Sequence, residues 1–399
     1  MAQYTGYQVM GDPDAEEEEE EPLDTKRFYD NLSECYRLQV RRDEVGWEMT
    51  STDRPGEAQV VLNLSCGIQG TPHLMLTHVA IFKALGIDFV ATAGTKFCCG
   101  RPFGMSGNPD LSNRIAKHSI GRLKTWNSTV NVQCCGSCLV QFHANSEQIR
   151  EETGEAPFEV IHMTEYLLRA LKEMGDAVPW VREPRAKRVL LHAEGEEVHH
   201  TKVIQRNAVI ETLGMVPGME FAGLVEEPTL GAPCGSEERP DNPGSVGHTV
   251  LSDISTREYQ ATQRELLDQA KAVGADAIVT HHHKCTREWS KFGSPQLPIM
   301  HYQTLVADAL GIDIPDRFQE LWQLDDTEQI LTETRPYWES WGIDEDEARD
   351  LVPKFFVPEY EASVQRCPCE LDGSGSCSVG AGKSHSAADV DALCKRLGI

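Results

Sequence analysis

Five cysteines in the first half of the chain are spaced like the ligands of a metal or iron–sulfur centre. They are Cys66, the adjacent pair Cys98 and Cys99, and the Cys-x-x-Cys pair Cys135 and Cys138. Thiolate sulfur selects iron, zinc or copper(I) over hard cations. Disulfides are the alternative for a chain with 13 cysteines, but they need an oxidising compartment. The pattern therefore predicts a soft-metal or iron–sulfur site.

Each cysteine loop follows a short run of residues typical of a β-strand. These runs are residues 60–64 before Cys66, 88–92 before the adjacent pair and 130–133 before the Cys-x-x-Cys pair, and helix-like segments lie between them. Alternating strands and helices predict a parallel sheet in an α/β fold. Its carboxyl edge would gather the cysteines beside helix amino ends, whose unpaired N–H groups favour negative charge.

The adjacent cysteines favour an iron–sulfur cluster over zinc. Side chains of Cys98 and Cys99 diverge, which suits an extended cluster with separate irons better than one tetrahedral ion. Gly67, Gly100 and Gly136 each follow a candidate ligand and allow close approach of the backbone. A closed zinc site with Cys135, Cys138 and two other thiols is the alternative.

The second half of the chain repeats the first with changes at the thiols. The strand-like run 189–192 matches 60–63, and Leu213-Gly214 matches Leu85-Gly86. The degenerate unit keeps two cysteines, Cys234 and Cys285. Other residues stand at the remaining ligand positions: Gly195, Pro233 and His282. The sequence thus predicts two tandem, pseudo-symmetric domains.

Histidines surround the altered positions of the second unit. They are His192, His199, His200, His281, His282 and His283. With Cys234 and Cys285 they could hold a second metal, either zinc or an iron–sulfur cluster, or they could supply protons to a substrate at the first site. We assign a catalytic role to His282.

Composition and charge argue against some classes of function. The net charge of −26 argues against a nucleic-acid partner. A transmembrane run and a signal peptide are both missing from the sequence, which predicts a cytoplasmic protein. We expect four segments: an acidic arm and helical lead-in (1–57), a first domain (58–180), a second domain (181–310) and a carboxyl-terminal extension with a cysteine-containing tail (311–399).

The order Cys, Cys-Cys-Gly, Cys-x-x-Cys over residues 66–138 resembles the cysteine-rich CCG domain that occurs twice in the B subunit of heterodisulfide reductase. The resemblance covers residues 58–310. It implies that Cys66, Cys98, Cys99, Cys135 and Cys138 ligate a non-cubane [4Fe-4S] cluster, at which a disulfide is cleaved by one-electron steps. It also implies two partners, a flavin-containing A subunit and a ferredoxin-like C subunit.

The leading hypothesis is an iron–sulfur oxidoreductase subunit that acts on a thiol, disulfide or sulfane-sulfur substrate, free or on a carrier protein. The long extensions and the degenerate second unit look more like the heterodisulfide-reductase-like complexes of sulfur oxidisers than the compact methanogen subunit. A Gly-x-Gly-x-x-Gly stretch after a strand is missing from the sequence, so partners should supply the electrons. The alternatives are a non-catalytic electron-transfer component of a dehydrogenase complex and a structural zinc protein.

Overall fold

A computed structural model describes residues 25–46, 57–193, 200–226, 228–229 and 256–357. The predicted acidic arm, Gly195, Cys234 and the cysteines of the tail lie outside the described residues.

The described part of the chain alternates short strands with longer helices. The strands are β1 (Val60–Asn63), β2 (Phe89–Thr92), β3 (Val130–Gln133), β4 (Glu159–His162), β5 (Arg188–His192), β6 (Glu220–Leu224), β7 (Ala277–Thr280) and β8 (Ile299–His301). The helices are α1 (Thr25–Arg37), α2 (Pro72–Ala84), α3 (Arg101–Met105), α4 (Pro109–Leu123), α5 (Gly136–Thr153), α6 (Met163–Met174), α7 (His200–Met215), α8 (Thr256–Val273), α9 (His283–Ser290), α10 (Tyr302–Ala309), α11 (Arg317–Leu324), α12 (Thr327–Ser340) and α13 (Glu345–Phe356).

The strands form two parallel sheets of the same topology. The first has the order β2-β1-β3-β4 and the second the order β6-β5-β7-β8. All their pairings are parallel. This confirms the predicted α/β fold of two tandem, pseudo-symmetric units with parallel sheets. The domain boundaries predicted from sequence remain predictions.

Strand register defines the correspondence between the two units. Asn63 pairs with Gln133, and His192 pairs with Thr280 in the same way. The residue after Gln133 is Cys134 and the residue after Thr280 is His281, so His282 corresponds to Cys135 and Cys285 to Cys138. The match inferred from sequence for this loop therefore agrees with the register.

The two units share one apolar core. Strand β1 is buried at every residue, as expected for a parallel strand covered on both faces. A single cluster of buried side chains joins Leu62 and Val132 of the first sheet to Leu191 and Val279 of the second. Helix α6 packs against α7, and α2 packs against α10. The sheets are thus held as neighbours by apolar burial.

Terminal helices form a second apolar cluster, which includes Leu190 and Ile278 of the second sheet. Trp322 and Trp338, from α11 and α12, are buried with Phe28 and Leu32 of α1. Trp341 donates a hydrogen bond of 2.8 Å from Nε1 to the carbonyl of Val40. Helix α1 ends at Arg37, and Leu38 and Val40 beyond it are buried. Helices α11 to α13 are thus packed on the second sheet.

Candidate cysteine site

The five predicted ligands lie at the carboxyl ends of β1, β2 and β3. Cys66 follows β1 and opens the 3₁₀ turn Gly67–Gly70. Cys98 and Cys99 follow the turn Thr95–Phe97, and Cys135 is the N-cap of α5. Since parallel neighbouring strands end at one edge, these loops meet, as the sequence predicted.

The five thiols are joined in a chain of side-chain contacts. Side-chain hydrogen bonds link Cys66 to Cys98, Cys98 to Cys99, Cys99 to Cys138 and Cys138 to Cys135. Four of them are at most 7% exposed, and Cys135 is half-buried. All the described cysteines are free thiols.

Cys98 is the thiol most strongly stabilised as a thiolate. Hydrogen bonds from Cys66 and Cys99 hold its pKa far below the ordinary value, outweighing burial. The backbone N–H of Gly100 donates to Cys98 Sγ at 3.2 Å. The hydroxyl of Tyr29, on α1, lies 3.0 Å from the same sulfur. Burial and the neighbouring cysteines raise the pKa of Tyr29, so the hydroxyl stays protonated and donates the hydrogen bond to Cys98.

The amino end of α5 stabilises Cys135 in a different way. Its hydrogen bond from Cys138 is the largest cause of a pKa lowered to about 7, and the backbone N–H groups of Cys138 and Ser137 add to it. These N–H groups have no partner within a helix, so an anionic sulfur at the N-cap satisfies them. The predicted use of a helix amino end is therefore present at this cysteine.

Gly100 has a structural reason to be glycine beyond the sequence argument. Its φ is +84°, and a Cβ placed on it would lie 2.2 Å from the carbonyl oxygen of Ser112. The positive φ caps α3, and the close contact packs the cysteine loop on α4. At Gly136 the nearest atom to such a Cβ is His282 Cε1 at 3.8 Å. Only Gly100 of these two is required by packing.

The donor set suits a negatively charged group that binds soft sulfur ligands. The five thiols follow one another in a row, and backbone N–H groups and a hydroxyl donate hydrogen bonds to them, as a negatively charged group requires. Soft, buried and partly deprotonated sulfurs in this order fit a multi-iron cluster.

Histidines of the second unit approach the cysteine loops of the first. His282 caps α9 as Cys135 caps α5, and its ring centroid lies 6.2 Å from that of His162. The ring of His283 reaches Gly67, where an added Cβ would lie 2.8 Å from Nε2. The structure thus brings the predicted His282 beside Gly136, in the first turn of α5.

The sequence argument missed two further histidines, His162 and His301. Each caps the helix after the last strand of its unit, and each Nδ1 accepts a backbone N–H, from Thr164 and Gln303 respectively. Burial lowers the pKa of His162 to about 3, so the ring is neutral and carries its proton on Nε2. His301 Nε2 lies 3.1 Å from the carbonyl of His281. His162 Nε2 has no hydrogen-bond partner within the described chain.

The strand registers contain the signal that could have identified this pair. His162 pairs with Gln133, and His301 with Thr280, at the ends of equivalent strands. Both rings line a small cavity between the units, together with His78, Cys134 and His283. Its size, about 10 Å³, suits one water molecule.

The remaining predicted positions are only partly described. Cys285 is buried and lies in the same apolar cluster as Cys66, whereas Cys234 and His199 are outside the described residues. His192 stacks on Trp289 with ring centroids 3.9 Å apart. The second-metal prediction therefore stays untested. Cys134 and Cys35 are also buried, and burial raises the pKa of each.

A buried charged cluster lies behind the Cys66 loop. Arg287 and Lys291 flank Glu288, whose carboxylate oxygens are 2.5 Å and 3.1 Å from the two cations. All three side chains are buried: Arg287 is 6% exposed, Lys291 1% and Glu288 3%. A Cβ on Gly70, at the end of the Cys66 turn, would lie 3.3 Å from Arg287 Nη1. The Glu288 carboxylate thus pairs with both cations in the buried region behind the Cys66 turn.

Comparison with protein families places a cysteine-rich domain, the CCG domain, at residues 62–143. The matched segment contains all five predicted ligands. The chain also resembles three archaeal proteins, each named as the D subunit of dihydromethanophenazine:CoB–CoM heterodisulfide reductase. The Methanosarcina acetivorans protein is 24% identical over 282 residues, which are 69% of this chain and 64% of that protein. The Methanosarcina barkeri protein is 23% identical over 61% of each chain.

The Methanosarcina mazei protein is 23% identical over 50% of this chain and 48% of its own length. The chain thus spans between about half and somewhat under two thirds of the relatives that it matches. These relatives are D subunits, whereas the cysteine pattern alone suggested the B subunit. The comparisons support the wider CCG family of heterodisulfide reductases and do not support the choice of the B subunit.

Proposed function

We propose that this chain is an iron–sulfur oxidoreductase subunit of a heterodisulfide-reductase-like system. The observation that carries the proposal is the row of five thiols from Cys66 to Cys135, four of them buried, inside the segment that matches the CCG domain. We propose a non-cubane [4Fe-4S] cluster on these thiols and a thiol, disulfide or sulfane-sulfur compound as substrate. When bound, such a cluster exchanges single electrons with a substrate sulfur.

The protein side of this chemistry follows from the groups around the thiols. Tyr29 and the N–H of Gly100 donate to Cys98, and the first turn of α5 donates to Cys135. Such donors stabilise negative charge on sulfur and therefore tune the potential of the site. We assign proton delivery to His282, because its ring lies beside Gly136, which directly follows the predicted ligand Cys135. A His282→Ala variant with full activity and unchanged iron content would remove that role.

Partners and surroundings are part of the same proposal. The matched relatives are named as subunits of an enzyme, and we propose flavin-containing A-type and ferredoxin-like C-type partners for this chain. A B-type role in a sulfur-oxidising complex is a narrower form of the proposal.

Within the described residues, every helix is too short or too polar to cross a bilayer. Free thiols suit a reducing compartment, and we propose the cytoplasm.

Spectroscopy of the anaerobically purified protein tests whether substrate sulfur reaches the cluster. The protein would be oxidised with and without 2-mercaptoethanol, with ethylene glycol as the matched alcohol. We expect a paramagnetic signal that depends on the thiol and is missing with the alcohol. An oxidised iron–sulfur spectrum that is identical in all three samples would favour the alternative, a protein that only relays electrons.

A further inference from the structure

A pocket of about 510 Å³ opens between α1, α3 and α4, beside the cysteine row. Tyr29, Cys98 and Phe103 line it, and the ring of Phe103 lies 6.2 Å from that of Tyr29. We call it the Cys98 pocket. Because the Tyr29 hydroxyl also donates a hydrogen bond to Cys98, any group that covers this pocket lies close to the cysteine site.

Basic side chains surround the Cys98 pocket. Arg114, His118 and Arg122 are spaced by four residues on α4, so they share one face of that helix. Lys96 lies on the turn before Cys98, and Arg122 Nη1 donates to its carbonyl at 2.9 Å. None of the described lining residues is acidic. We call these four residues the basic rim.

Two cations of the basic rim have no acidic partner in the part of the chain that the structure describes. Arg114 and Lys96 are exposed, and no carboxylate among the described residues forms an ion pair with either. By contrast, Lys117 on the same helix pairs with Glu152 at 3.1 Å. The basic rim is therefore available to an acidic group from elsewhere, in a chain whose net charge is −26.

An acidic segment, residues 12–24, directly precedes α1. It contains nine acidic residues, six of them in the run Glu16 to Glu21, and neither Lys nor Arg. It is joined to Thr25, where α1 begins, and α1 carries Tyr29 into the pocket wall. The segment itself lies outside the described residues. Its charge is opposite to that of the basic rim, and its attachment point is on a helix that lines the same pocket.

The tether is long enough for the acidic segment to reach the basic rim. Four to nine residues separate the run of glutamates from Thr25, and a chain of that length spans at most about 14–31 Å. Tyr29 is four residues into α1, about 6 Å along the helix axis. A short tether also gives an effective concentration on the order of millimolar, which favours binding within one chain.

We propose that the acidic segment 12–24 binds the basic rim of the same chain and covers the Cys98 pocket. Its glutamates would pair with Arg114 and Lys96. The segment would then act as an internal competitor, which an anionic molecule or an acidic partner must displace to enter the pocket. This inference does not rest on the proposed function, because both sets of charges are present with or without an iron–sulfur cluster.

Carbodiimide cross-linking of the full chain, purified anaerobically, tests the contact, because the reagent joins a carboxylate to a lysine amine that touches it. We expect a cross-link from the acidic segment to Lys96 in mass spectra of the digest. Lys83, an exposed lysine in the last turn of α2 that does not line the pocket, should form none. Raising the salt from about 0.01 M to about 1 M should lower the Lys96 yield at least about tenfold, since the screening length falls from about 30 Å to about 3 Å.

Isotope labelling separates binding within a chain from binding between chains. In a mixture of unlabelled and nitrogen-15-labelled protein, both peptides of each Lys96 cross-link should carry the same label. Cross-links that join one labelled to one unlabelled peptide would assign the acidic segment to a second copy and overturn the inference. So would the absence of a Lys96 cross-link at low salt.

A hexaglutamate peptide with a neutral fluorophore tests the competition. It should bind the variant in which the whole run is neutralised, Glu16→Gln to Glu21→Gln, at least about tenfold more tightly than the unaltered chain. Adding Arg114→Gln to that variant should weaken the peptide about threefold. Adding Arg150→Gln, which removes a cation that pairs with Glu147 on α5, should leave the affinity unchanged.

Equal affinity of the peptide for the unaltered chain and for the neutralised variant would overturn the inference. Tight binding to both would leave the basic rim to a separate acidic partner, and no binding to either would mean that the rim does not hold carboxylates. Equal effects of Arg114→Gln and Arg150→Gln would likewise contradict the assignment of the rim.

Discussion

The hydroxyl of Tyr29 donates a hydrogen bond to Cys98 Sγ over 3.0 Å, and the two residues are 69 positions apart. This bond makes the amino-terminal helix part of the cysteine site. Helix α1 is held in place by Phe28 and Leu32, which are buried against the terminal helices α11 to α13. Segments that precede and follow the two sheets in the sequence therefore together hold the Tyr29 hydroxyl against the sulfur of Cys98.

Replacing Tyr29 with Phe removes this donor and keeps the ring. We expect the potential of the iron–sulfur protein to become more negative, because the reduced state loses stabilisation of charge on sulfur. The metal-free protein should lose about 1–2 kcal/mol of unfolding free energy, since a bond to a charged group is lost at a half-buried position. Redox titration and denaturant unfolding measure the two effects. Tyr337→Phe, on α12, is the control, and equal behaviour of the two variants would contradict the assignment.

Gly100 and Gly86 provide a matched pair of backbone tests. Both have positive φ, +84° and +66°, but an added Cβ clashes with backbone only at Gly100, 2.2 Å from the carbonyl oxygen of Ser112. Gly86→Ala should cost about 1 kcal/mol from the left-handed conformation. Gly100→Ala should cost at least about 3 kcal/mol, because overpacking adds to the same strain. Thermal or denaturant unfolding would show the difference, and similar losses would mean that the loop relaxes freely.

Glu288 tests the buried charged cluster. Glu288→Gln leaves Arg287 and Lys291 buried without their carboxylate, which should cost about 3–5 kcal/mol at pH 7. Because the two cations hold the pKa of Glu288 below its ordinary value despite burial, its contribution is present above pH 4.5 and is lost as the pH falls through the lower pKa of the folded state. Glu328→Gln breaks an exposed pair with Arg349 and should cost under about 1 kcal/mol. Comparable losses in both variants would contradict the account.

His78 tests the pH dependence of the buried histidines. Burial lowers its pKa from 6.5 to about 4. Between these values the unfolded chain binds a proton that the folded chain does not, so stability is full above pH 6.5 and falls as the pH drops to 4. The loss reaches about 3 kcal/mol. His78→Gln should flatten this slope in denaturant unfolding at pH 7 and pH 5, whereas the exposed His118→Gln should not. An unchanged slope in His78→Gln would show that other groups cause the dependence.

The sequence predicted the elements that carry the cysteines because each signal was local. Apolar runs such as Val60–Asn63 identify buried parallel strands, and a cysteine after each strand end must lie at one edge of the sheet. The repeat predicted the same topology for both units, and it predicted that His282 occupies the position equivalent to Cys135.

Other parts of the site depend on contacts that no local pattern encodes. The bond from Tyr29 to Cys98 requires α1 to pack against the Cys66 turn and the terminal helices. The approach of His283 to Gly67 requires the two units to share a core. The clash at Gly100 comes from Ser112, on α4, and the sequence suggested only that this glycine allows close approach to sulfur. Such relations are set by tertiary packing, which spacing along the chain does not determine.

Iron, acid-labile sulfide and zinc content of the anaerobically purified protein is the most direct test of the proposed cluster. We predict about four irons and four sulfides for each chain, retained in Cys35→Ala and lost in Cys99→Ala. Cys35 is the matched control because it is buried like Cys99 but takes no part in the row of thiols. About eight irons would indicate a second cluster in the second unit. Zinc without sulfide, or full iron content in Cys99→Ala, would contradict the assignment of the five cysteines.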